Sequence, residues 1–346
     1  MLQIRVGKEN ADFTTIGEAI LAVPYEEAAE ISIEKGIYRE KIFCDKRDIT
    51  FIGDDRDETV IEFGDGAFDI MPDGSKRGTF RSYTAFFAGK RAVVKNLTIR
   101  NIAGPGEKAG QALAVYADSE EVFFENVKLE GYQDTLFMSP LPVKEREAKG
   151  FMGPRVLTER TLTKQYYKTC EIIGDVDFIF GGADAVFDDC TIVCRNRQIR
   201  QDGEQHDAKT QSDAKNAQSE NGFINGYITA GCGLKENLGM VFRNCDIRGE
   251  KGCAAGSVFL GRPWRDEARA VFINCTMDET IAPKRFSGWG AVDKVHPDVF
   301  YGEYGTAGDD GEPADLSAKN TWVKDIDDEV AGEISILADA IVGIFE

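Results

Sequence analysis

Two aspartates interrupt apolar, strand-like stretches of the sequence, and they are the first candidates for chemistry. Asp177 lies within residues 174–182, and Asp134 lies within residues 131–137. A charged carboxylate among apolar side chains is costly unless a cation or hydrogen bonds compensate it, and Arg262 is a candidate cation. Two carboxylates in different environments can act as a nucleophile and an acid, or they can serve glycoside hydrolysis. A structural ion pair for Asp177 and a turn cap for Asp134 are the alternatives without chemistry.

The sequence lacks the motifs of several other enzyme mechanisms. It contains no Gly-x-Ser-x-Gly nucleophile elbow, no His-Glu-x-x-His zinc motif, no phosphate loop and no dinucleotide fingerprint. Its two histidines, His206 in a polar stretch and His296 before a proline, have surroundings typical of surface or loop residues. If the chain is an enzyme, carboxylates must therefore transfer the protons.

Length and charge limit the classes of protein to which the chain can belong. The 346 residues are enough for a large core, and because no domain boundary is visible we predict a single domain, 1–346. A net charge of −19 argues against nucleic acid, favours solubility and discourages tight binding of a densely anionic polymer. No stretch approaches the ~18–20 apolar residues of a membrane span, so we expect no membrane partner.

The N-terminus and the cysteines bear on the cellular compartment. Residues 1–7 lack the apolar core of ~7–15 residues that a signal peptide has, so we expect a cytoplasmic protein, or a secreted one whose leader was removed. None of the eight cysteines forms a Cys-x-x-Cys pair. Cys190, Cys245 and Cys275 share one position of a repeat, which predicts small buried thiols rather than a disulfide framework or a metal site.

A short pattern of apolar residues around an Asn or Asp recurs along the chain. Its copies are separated by 30, 63, 55 and 30 residues, so that each of the two wider gaps has room for an additional turn. The five copies are centred on Asn96, Asn126, Asp189, Asn244 and Asn274.

Short strands that repeat at such spacing predict a solenoid. Each unit is too short for a helix and a strand, and its apolar residues alternate, so we predict an all-β parallel β-helix. An asparagine tolerates the left-handed backbone of a sharp bend and can hydrogen-bond its neighbour in the next turn. A β-sandwich whose strands are similar by accident is the alternative.

Helical patterns stand at both ends of the chain. Thr15 and Glu18 have capping-box spacing, the following apolar residues recur with helical period, and Pro24 ends the pattern. We expect this short helix to cover the open end of the sheets, although any surface helix would fit the same pattern. A second helix, from about 327 to 345, is expected to pack on the outside.

Two long polar segments interrupt the repeats. Residues 139–166 are rich in proline, glycine and charge, and residues 195–225 are almost free of apolar side chains. Long loops on a rigid solenoid are either substrate walls and lids or disordered excursions, and we predict partial disorder for the second.

Six short segments, in this order along the chain, carry a resemblance to a known family. They are Gly-Ile-Tyr-Arg-Glu at 36–40, Asn-Ile-Ala-Gly-Pro at 101–105, Gln-Ala-Leu-Ala at 111–114, Gly-Tyr-Gln-Asp-Thr-Leu-Phe at 131–137, Gly-Asp-Val-Asp-Phe-Ile-Phe-Gly at 174–181 and Leu-Gly-Arg-Pro-Trp-Arg at 260–265. In these segments the sequence resembles the pectin methylesterase (pectinesterase) family, whose fold is a right-handed parallel β-helix. Residues 140–167 resemble the bacterial branch of that family.

The resemblance implies a role for each catalytic candidate. Asp177 matches the nucleophile, Asp134 the general acid and base, and Arg262 the arginine that pairs with the nucleophile. Gln111 and Gln133 match the donors to the oxyanion, and an ordinary polar turn residue is the alternative for Gln111. No metal or other cofactor is expected, because the two amides take the place of a Lewis acid.

The resemblance also implies a site for sugars. Trp264 matches an aromatic residue of the sugar-binding cleft, and by analogy Phe137, Phe180 and Trp289 line it as well. Packing roles are the alternative for all four aromatic residues.

The implied activity is that of a carboxylic ester hydrolase that removes methyl groups from the C6 esters of pectin or its oligomers and releases methanol. The expected partner is therefore a methyl-esterified galacturonan or oligogalacturonide, and without a leader we expect short oligomers to be preferred. A β-helix pectin lyase or polygalacturonase is the alternative among enzymes. A non-catalytic carbohydrate-binding solenoid is the alternative from another class.

Two residues depart from the family pattern. Phe137 stands where many members have tyrosine, and Asp175 stands where plant members often have threonine. In a regular strand Asp175 and Asp177 would share a face, and a second acid facing the site would disfavour ionisation of the other acids. A bend at Gly174 would separate the two side chains.

Overall fold

The computed structural model describes residues 1–198 and 223–346, and within these ranges every strand belongs to one of three parallel sheets. Successive strands along the chain visit the sheets in turn, and each strand pairs in parallel with the equivalent strand of the next coil. The architecture is the predicted right-handed parallel β-helix.

Within each sheet the strands stack in chain order. The first sheet contains Leu2–Val6, Ala28–Ile33, Asp48–Gly53, Arg91–Lys95, Glu121–Glu125, Lys164–Lys168, Asp184–Asp188, Met240–Arg243, Arg269–Ile273, Phe300–Tyr304 and Lys324–Asp325. The second sheet contains Gly36–Tyr38, Thr59–Phe63, Thr98–Asn101, Lys128–Glu130, Glu171–Gly174, Thr191–Cys194, Asp246–Gly249, Thr276–Met277 and Ala307–Gly308. The third sheet contains Ile42–Cys44, Ala85–Phe87, Val115–Ala117, Leu136–Met138, Val176–Gly181, Gly226–Gly231 and Val258–Gly261.

The repeated Asn or Asp forms the bend between the first and second sheets. All five predicted positions have a left-handed backbone with φ between 52° and 54°, and Asn126 Nδ2 donates to Asn96 Oδ1 at 2.9 Å. The first wide gap contains the additional turn, with Thr169 (φ 50°) at the bend. The second wide gap contains no additional strand of the first sheet among the described residues, because Asp184–Asp188 pairs directly with Met240–Arg243.

The interior is filled by side chains that stack from coil to coil. The rings of Tyr167, Phe187, Phe242 and Phe272 are nearly parallel, with centroids 4.4–4.6 Å apart. The thiols next to the bends are buried as predicted, and each donates a hydrogen bond to a carbonyl of the preceding coil. The donors are Cys170, Cys190, Cys245 and Cys275, with sulfur-to-oxygen distances of 3.4–3.6 Å.

Both predicted helices are present. Ile16–Ala22 begins after Thr15, whose hydroxyl accepts from the Glu18 amide, and the helix packs on the first coil. Asp328–Val342 begins after Asp327 and packs on the outer face of the first sheet. Two single-turn helices, Thr79–Arg81 and Gly106–Ala109, lie in loops between the sheets. No helix of the described residues is long and apolar enough to cross a membrane.

The two long loops differ in how far the structure describes them. Much of the segment 139–166 is irregular, and its middle part lines a cleft beside the third sheet, which agrees with the expectation of a substrate wall. Most of the segment 195–225 lies outside the described residues, and so does His206. The prediction of partial disorder there stays a prediction.

Candidate active site

The candidate catalytic residues lie on successive coils along the third sheet. The Ala112 amide donates to the Gln133 carbonyl at 3.1 Å, which places the Gln111 segment one coil before Gln133. The Asp134 amide donates to the Val176 carbonyl at 3.0 Å, which places Asp134 one coil before Asp177. Arg262 follows the last strand of this sheet, Val258–Gly261, two coils beyond Asp177. The parallel stacking of the coils therefore brings residues distant in sequence to one surface.

Both acids have a backbone conformation that differs from that of a regular strand, and this changes the direction of their side chains. Asp134 has φ 65° and Asp177 has φ 51°, and the pairing register shifts between Val176 and Ile179. Aspartate tolerates the left-handed region better than most residues, and a bulge re-aims side chains.

This geometry separates Asp175 from Asp177, although the bend lies at Asp177 itself rather than at Gly174. Asp175 is buried, and its Oδ1 accepts from the Val176 amide at 2.7 Å. Burial raises the pKa of Asp175 to about 6, and the Arg197 guanidinium partly offsets that rise. Asp175 does not line the cleft of the candidate site.

Arg262 holds the Asp177 carboxylate with two hydrogen bonds. Nε donates to Oδ1 at 2.8 Å and Nη2 donates to Oδ2 at 2.7 Å, the bidentate geometry in which a guanidinium matches a carboxylate. The guanidinium also contacts the ring of Tyr227, with its Cζ 4.0 Å from the centroid, and the ring of Trp289 at 4.4 Å. The buried Asp177 is thus compensated by a cation that is itself fixed.

Asp134 has a different electrostatic environment. Its side chain is buried, and burial raises its pKa well above the ordinary value of 3.8. The negative charge of Asp177 raises the pKa further and the positive charge of Arg262 lowers it, while the charge of Asp175 adds a smaller rise. This environment favours the protonated carboxylic acid at Asp134, whereas Asp177 is paired with the Arg262 guanidinium.

These side chains share one cleft of about 600 Å³. All five candidate catalytic residues line it, and so do three of the four candidate sugar-binding aromatics. The lining residues are Thr79, Phe80, Gln111, Gln133, Asp134, Arg146, Glu147, Gly150, Phe151, Asp177, Phe180, Ala230, Arg262, Trp264, Arg265 and Trp289.

Gln133 is positioned by a glycine. A Cβ atom on Gly106 would lie 2.5 Å from Gln133 Oε1 and 3.2 Å from its Cβ, so the side chain occupies the space that Gly106 leaves. Gly106 begins the single-turn helix Gly106–Ala109, which precedes Gln111 in the chain. One short segment therefore adjoins both glutamines.

Phe137 does not contact the cleft, which corrects the prediction that it lines the sugar site. Its side chain is completely buried, with its ring centroid 4.9 Å from Phe80, 4.8 Å from Tyr116 and 4.9 Å from Phe180. It packs beneath Phe80 and Phe180, which do line the cleft. The missing tyrosine hydroxyl would therefore fall within this aromatic cluster.

Several residues in the cleft or packed directly behind it were not predicted from the sequence. Tyr227 stacks on Arg262 from a strand with no recognisable signal, and Arg146 enters the cleft from the loop 139–166. Arg265 directly follows Trp264 in the recognised segment 260–265, but the resemblance implied no role for it. Within residues 1–198 and 223–346 there is no group of three or more His, Cys, Asp or Glu side chains that could hold a metal ion.

The chain as a whole is similar to known proteins. A family model described as Pectinesterase matches residues 3–141 and 159–329 of the chain. The chain belongs to the pectinesterase family.

Members of the family from plants are similar over most of this chain. The Arabidopsis thaliana protein named "Probable pectinesterase/pectinesterase inhibitor 64" is 31% identical over 315 residues, which are 87% of this chain and 45% of that protein. "Probable pectinesterase 8" from the same plant is 31% identical over 328 residues, 92% of this chain and 69% of that protein. The chain thus spans about half the length of several of the curated relatives it matches.

Solved structures of the family have the same architecture. Pectin methylesterase from carrot superposes with a TM-score of 0.72 and 26% identity, covering 96% of this chain and 89% of that one. A pectin methylesterase in complex with a hexasaccharide has a TM-score of 0.71 and 25% identity, covering 96% of this chain and 95% of that one. Pectin methylesterase from Yersinia enterocolitica has a TM-score of 0.69 and 28% identity, covering 92% of this chain and 96% of that one.

Proposed function

We propose that this pectinesterase-family protein is a carboxylic ester hydrolase that removes methyl groups from the C6 esters of pectin or its oligomers. The observation that carries the proposal is the bidentate Arg262–Asp177 pair in the same cleft as the buried Asp134. One acid is paired with a guanidinium, and burial favours the neutral form of the other, which is the division of labour that ester hydrolysis by two acids requires.

In the first step, a carboxylate oxygen of Asp177 attacks the C6 carbonyl carbon of a methyl-esterified galacturonate. The carbonyl oxygen becomes an oxyanion, to which the amide groups of Gln111 and Gln133 donate hydrogen bonds. As the bond between C6 and the methoxy oxygen breaks, Asp134 gives its proton to that oxygen. Methanol leaves, and an anhydride joins Asp177 to the galacturonate.

In the second step, water replaces the methanol. Asp134 is now ionised and takes a proton from the water, whose oxygen attacks the acyl carbon of the anhydride. The same two amides stabilise the second oxyanion, and the Asp177 carboxylate leaves toward Arg262. The products are a free galacturonic acid unit and the enzyme with Asp134 protonated again.

Two other polysaccharide activities use related folds or acids. The amides of Gln111 and Gln133 beside Asp134 and Asp177 favour ester hydrolysis, because an oxyanion needs such donors and cleavage of a glycosidic bond does not create one. The decisive assay follows three products from methylated tri- and hexagalacturonate, with and without a chelator. Methanol alone supports the esterase, whereas new reducing ends or unsaturated products would support a polygalacturonase or a lyase. Binding without any product would support a carbohydrate-binding solenoid.

The preferred substrate is proposed to be a neutral, methylated stretch of short length. The family includes a pectin methylesterase solved in complex with a hexasaccharide, which supports an oligosaccharide ligand for this cleft. The net charge of −19 should disfavour the polyanionic product. Activity that falls with chain length supports this preference, and equal or greater activity on intact pectin would contradict it.

Two finer assignments stay proposals. Membership of the bacterial branch rests on the segment 140–167, while both a plant and a Yersinia enterocolitica structure are similar to the chain. Cytoplasmic location is the second proposal, and cell fractionation with the complete gene product tests it.

A further inference from the structure

The Arg262 guanidinium is held by more than its carboxylate partner. Tyr227 contacts it from within the protein, where this ring stacks on Phe259 at 5.6 Å. Trp289 contacts it from the solvent side, with 36% of its own surface exposed. Packing fixes the ring of Tyr227. The partly exposed ring of Trp289 is less constrained, so another contact must fix its position.

That support comes from the loop 139–166. The guanidinium of Arg146 contacts the same indole ring, with its Cζ 4.8 Å from the Trp289 centroid. Arg146 Nη2 also donates to the Trp264 carbonyl at 2.5 Å. In return, Arg265 Nη2 donates to the Lys144 carbonyl at 3.2 Å. Two hydrogen bonds in opposite directions therefore tie the loop to the segment that carries Arg262.

The partners of Arg146 point to a positioning role. Within the part of the chain that the structure describes, no salt bridge to Asp or Glu is formed by Arg146, although the protein has 60 acidic residues and 41 Lys and Arg. Its contacts are an indole ring and a backbone carbonyl. A cation over an indole face is attracted by the ring quadrupole, so Trp289 is attracted by two guanidinium groups at once.

We propose that Arg146 and Trp289 are positioning residues that hold the Arg262 guanidinium in the orientation giving both hydrogen bonds to Asp177. Arg146 fixes the indole, the indole and Tyr227 restrict rotation of the guanidinium, and the guanidinium fixes the nucleophile. Trp289 then serves the ion pair rather than acting as a stacking platform for a sugar. The inference deepens the proposed esterase function and rests on it. Direct binding of a substrate carboxylate by Arg146 is the competing account.

A double-mutant cycle on methanol release separates the two accounts. Arg146→Ala and Trp289→Leu should each lower kcat, by up to about 100-fold, with little change in KM, because a small displacement of the reacting groups is costly. The double variant should be no slower than Trp289→Leu alone, since both changes break one chain of contacts. Arg146→Lys should recover part of the loss, because an ammonium can also lie over the indole and donate to a carbonyl.

The matched control is Lys144→Ala. It removes a positive charge from the same loop, its exposed side chain does not line the cleft, and kcat and KM should match the wild type. Losses that multiply in the double variant would overturn the proposal. So would a KM increase in Arg146→Ala that grows with the number of free carboxylates on the substrate.

Failure of the proposed function would be seen separately, as a wild-type protein that releases no methanol. In that event the wild type, Arg146→Ala, Trp289→Leu and the double variant are compared by thermal unfolding. A Tm shift in the double variant that is smaller than the sum of the two single-variant shifts would support the contact between Arg146 and Trp289. Strictly additive shifts would contradict it.

Discussion

Asp134 and Asp177 lie on adjacent coils, and both have a left-handed backbone, with φ 65° and 51°. The Asp134 amide donates to the carbonyl of Val176, the residue before Asp177, at 3.0 Å. A sheet ladder thus fixes the spacing of the two acids, while their unusual φ angles aim them into one cleft. Backbone conformations of this kind are unfavourable for most side chains and concentrate at functional sites.

Asp134→Asn should stabilise the protein increasingly as pH rises. The pKa of Asp134 is raised in the folded state, so between the ordinary value of 3.8 and that higher pKa the folded state holds a proton that the unfolded state has released. The stability of the wild type therefore falls as pH rises through this window, and the asparagine variant lacks this loss. Thermal unfolding of both proteins from pH 4 to pH 7 measures the difference.

The exposed Asp73 provides a control of opposite sign. Hydrogen bonds from the Ser75 hydroxyl and amide lower its pKa, so its contribution to stability is present above the ordinary value and lost at lower pH. The Tm difference between Asp73→Asn and the wild type should not grow in favour of the variant as pH rises. A Tm difference for Asp134→Asn that is independent of pH would refute the assignment of a neutral Asp134.

Each of the two glutamines should contribute to turnover rather than to folding. Gln111→Ala and Gln133→Ala should each lower kcat by about 100- to 1000-fold, the loss that follows removal of one oxyanion donor. KM should change little, because the oxyanion exists only during the reaction. Steady-state methanol release measures both constants, and a loss confined to KM would mean that the amides bind the substrate instead.

Gly106→Ala should damage the site without unfolding the protein. The new Cβ would lie 2.5 Å from Gln133 Oε1, and this flexible side chain can move away at the expense of its position. A displacement of about 1 Å can cost about 100-fold in rate, so kcat should fall while Tm is nearly unchanged. The control is Gly332→Ala in the C-terminal helix, where an added Cβ meets no atom within 4 Å. Equal rates for both variants would contradict the proposed role of Gly106.

The asparagine bends should contribute to stability through their backbone conformation. Asn126→Ala should lower the free energy of unfolding by about 2–3 kcal/mol, from the left-handed φ of 52° and the lost hydrogen bond to Asn96. Asn126→Gly tolerates the same φ and should lose only about 1 kcal/mol. Chemical denaturation compares the two variants. Equal losses would mean that the backbone conformation contributes nothing.

The repetitive parts of the fold were predictable from the sequence because they depend on local chemistry. A residue that tolerates positive φ recurs at the five predicted bends, and Asn96 and Asn126 hydrogen-bond to each other as their types suggest. Thr169 occupies an equivalent bend but escaped the pattern, because threonine is not typical of left-handed backbone. The wide gap before Met240 was ambiguous, since a loop insertion and an additional coil take up the same length of chain.

Only those residues of the candidate site that lie in recognisable sequence segments could be predicted. Asp134, Asp177 and Arg262 stand in recognisable segments, and the structure places all three in one cleft. Whether Asp175 faced that cleft depended on φ at Asp177, which strand alternation cannot give. The contacts of Arg146 arise from tertiary packing of an irregular loop, so no local pattern could have identified them.

The central claim is that the Asp177 carboxylate is the nucleophile, and Asp177→Asn tests it most directly. Asparagine tolerates the left-handed backbone and has nearly the same shape, so folding and sugar binding should persist. The account predicts that methanol release from methylated hexagalacturonate falls by roughly 10⁴-fold or more, while Tm stays close to that of the wild type. Methanol release within about tenfold of the wild-type rate, well short of the loss expected for a nucleophile, would contradict the account.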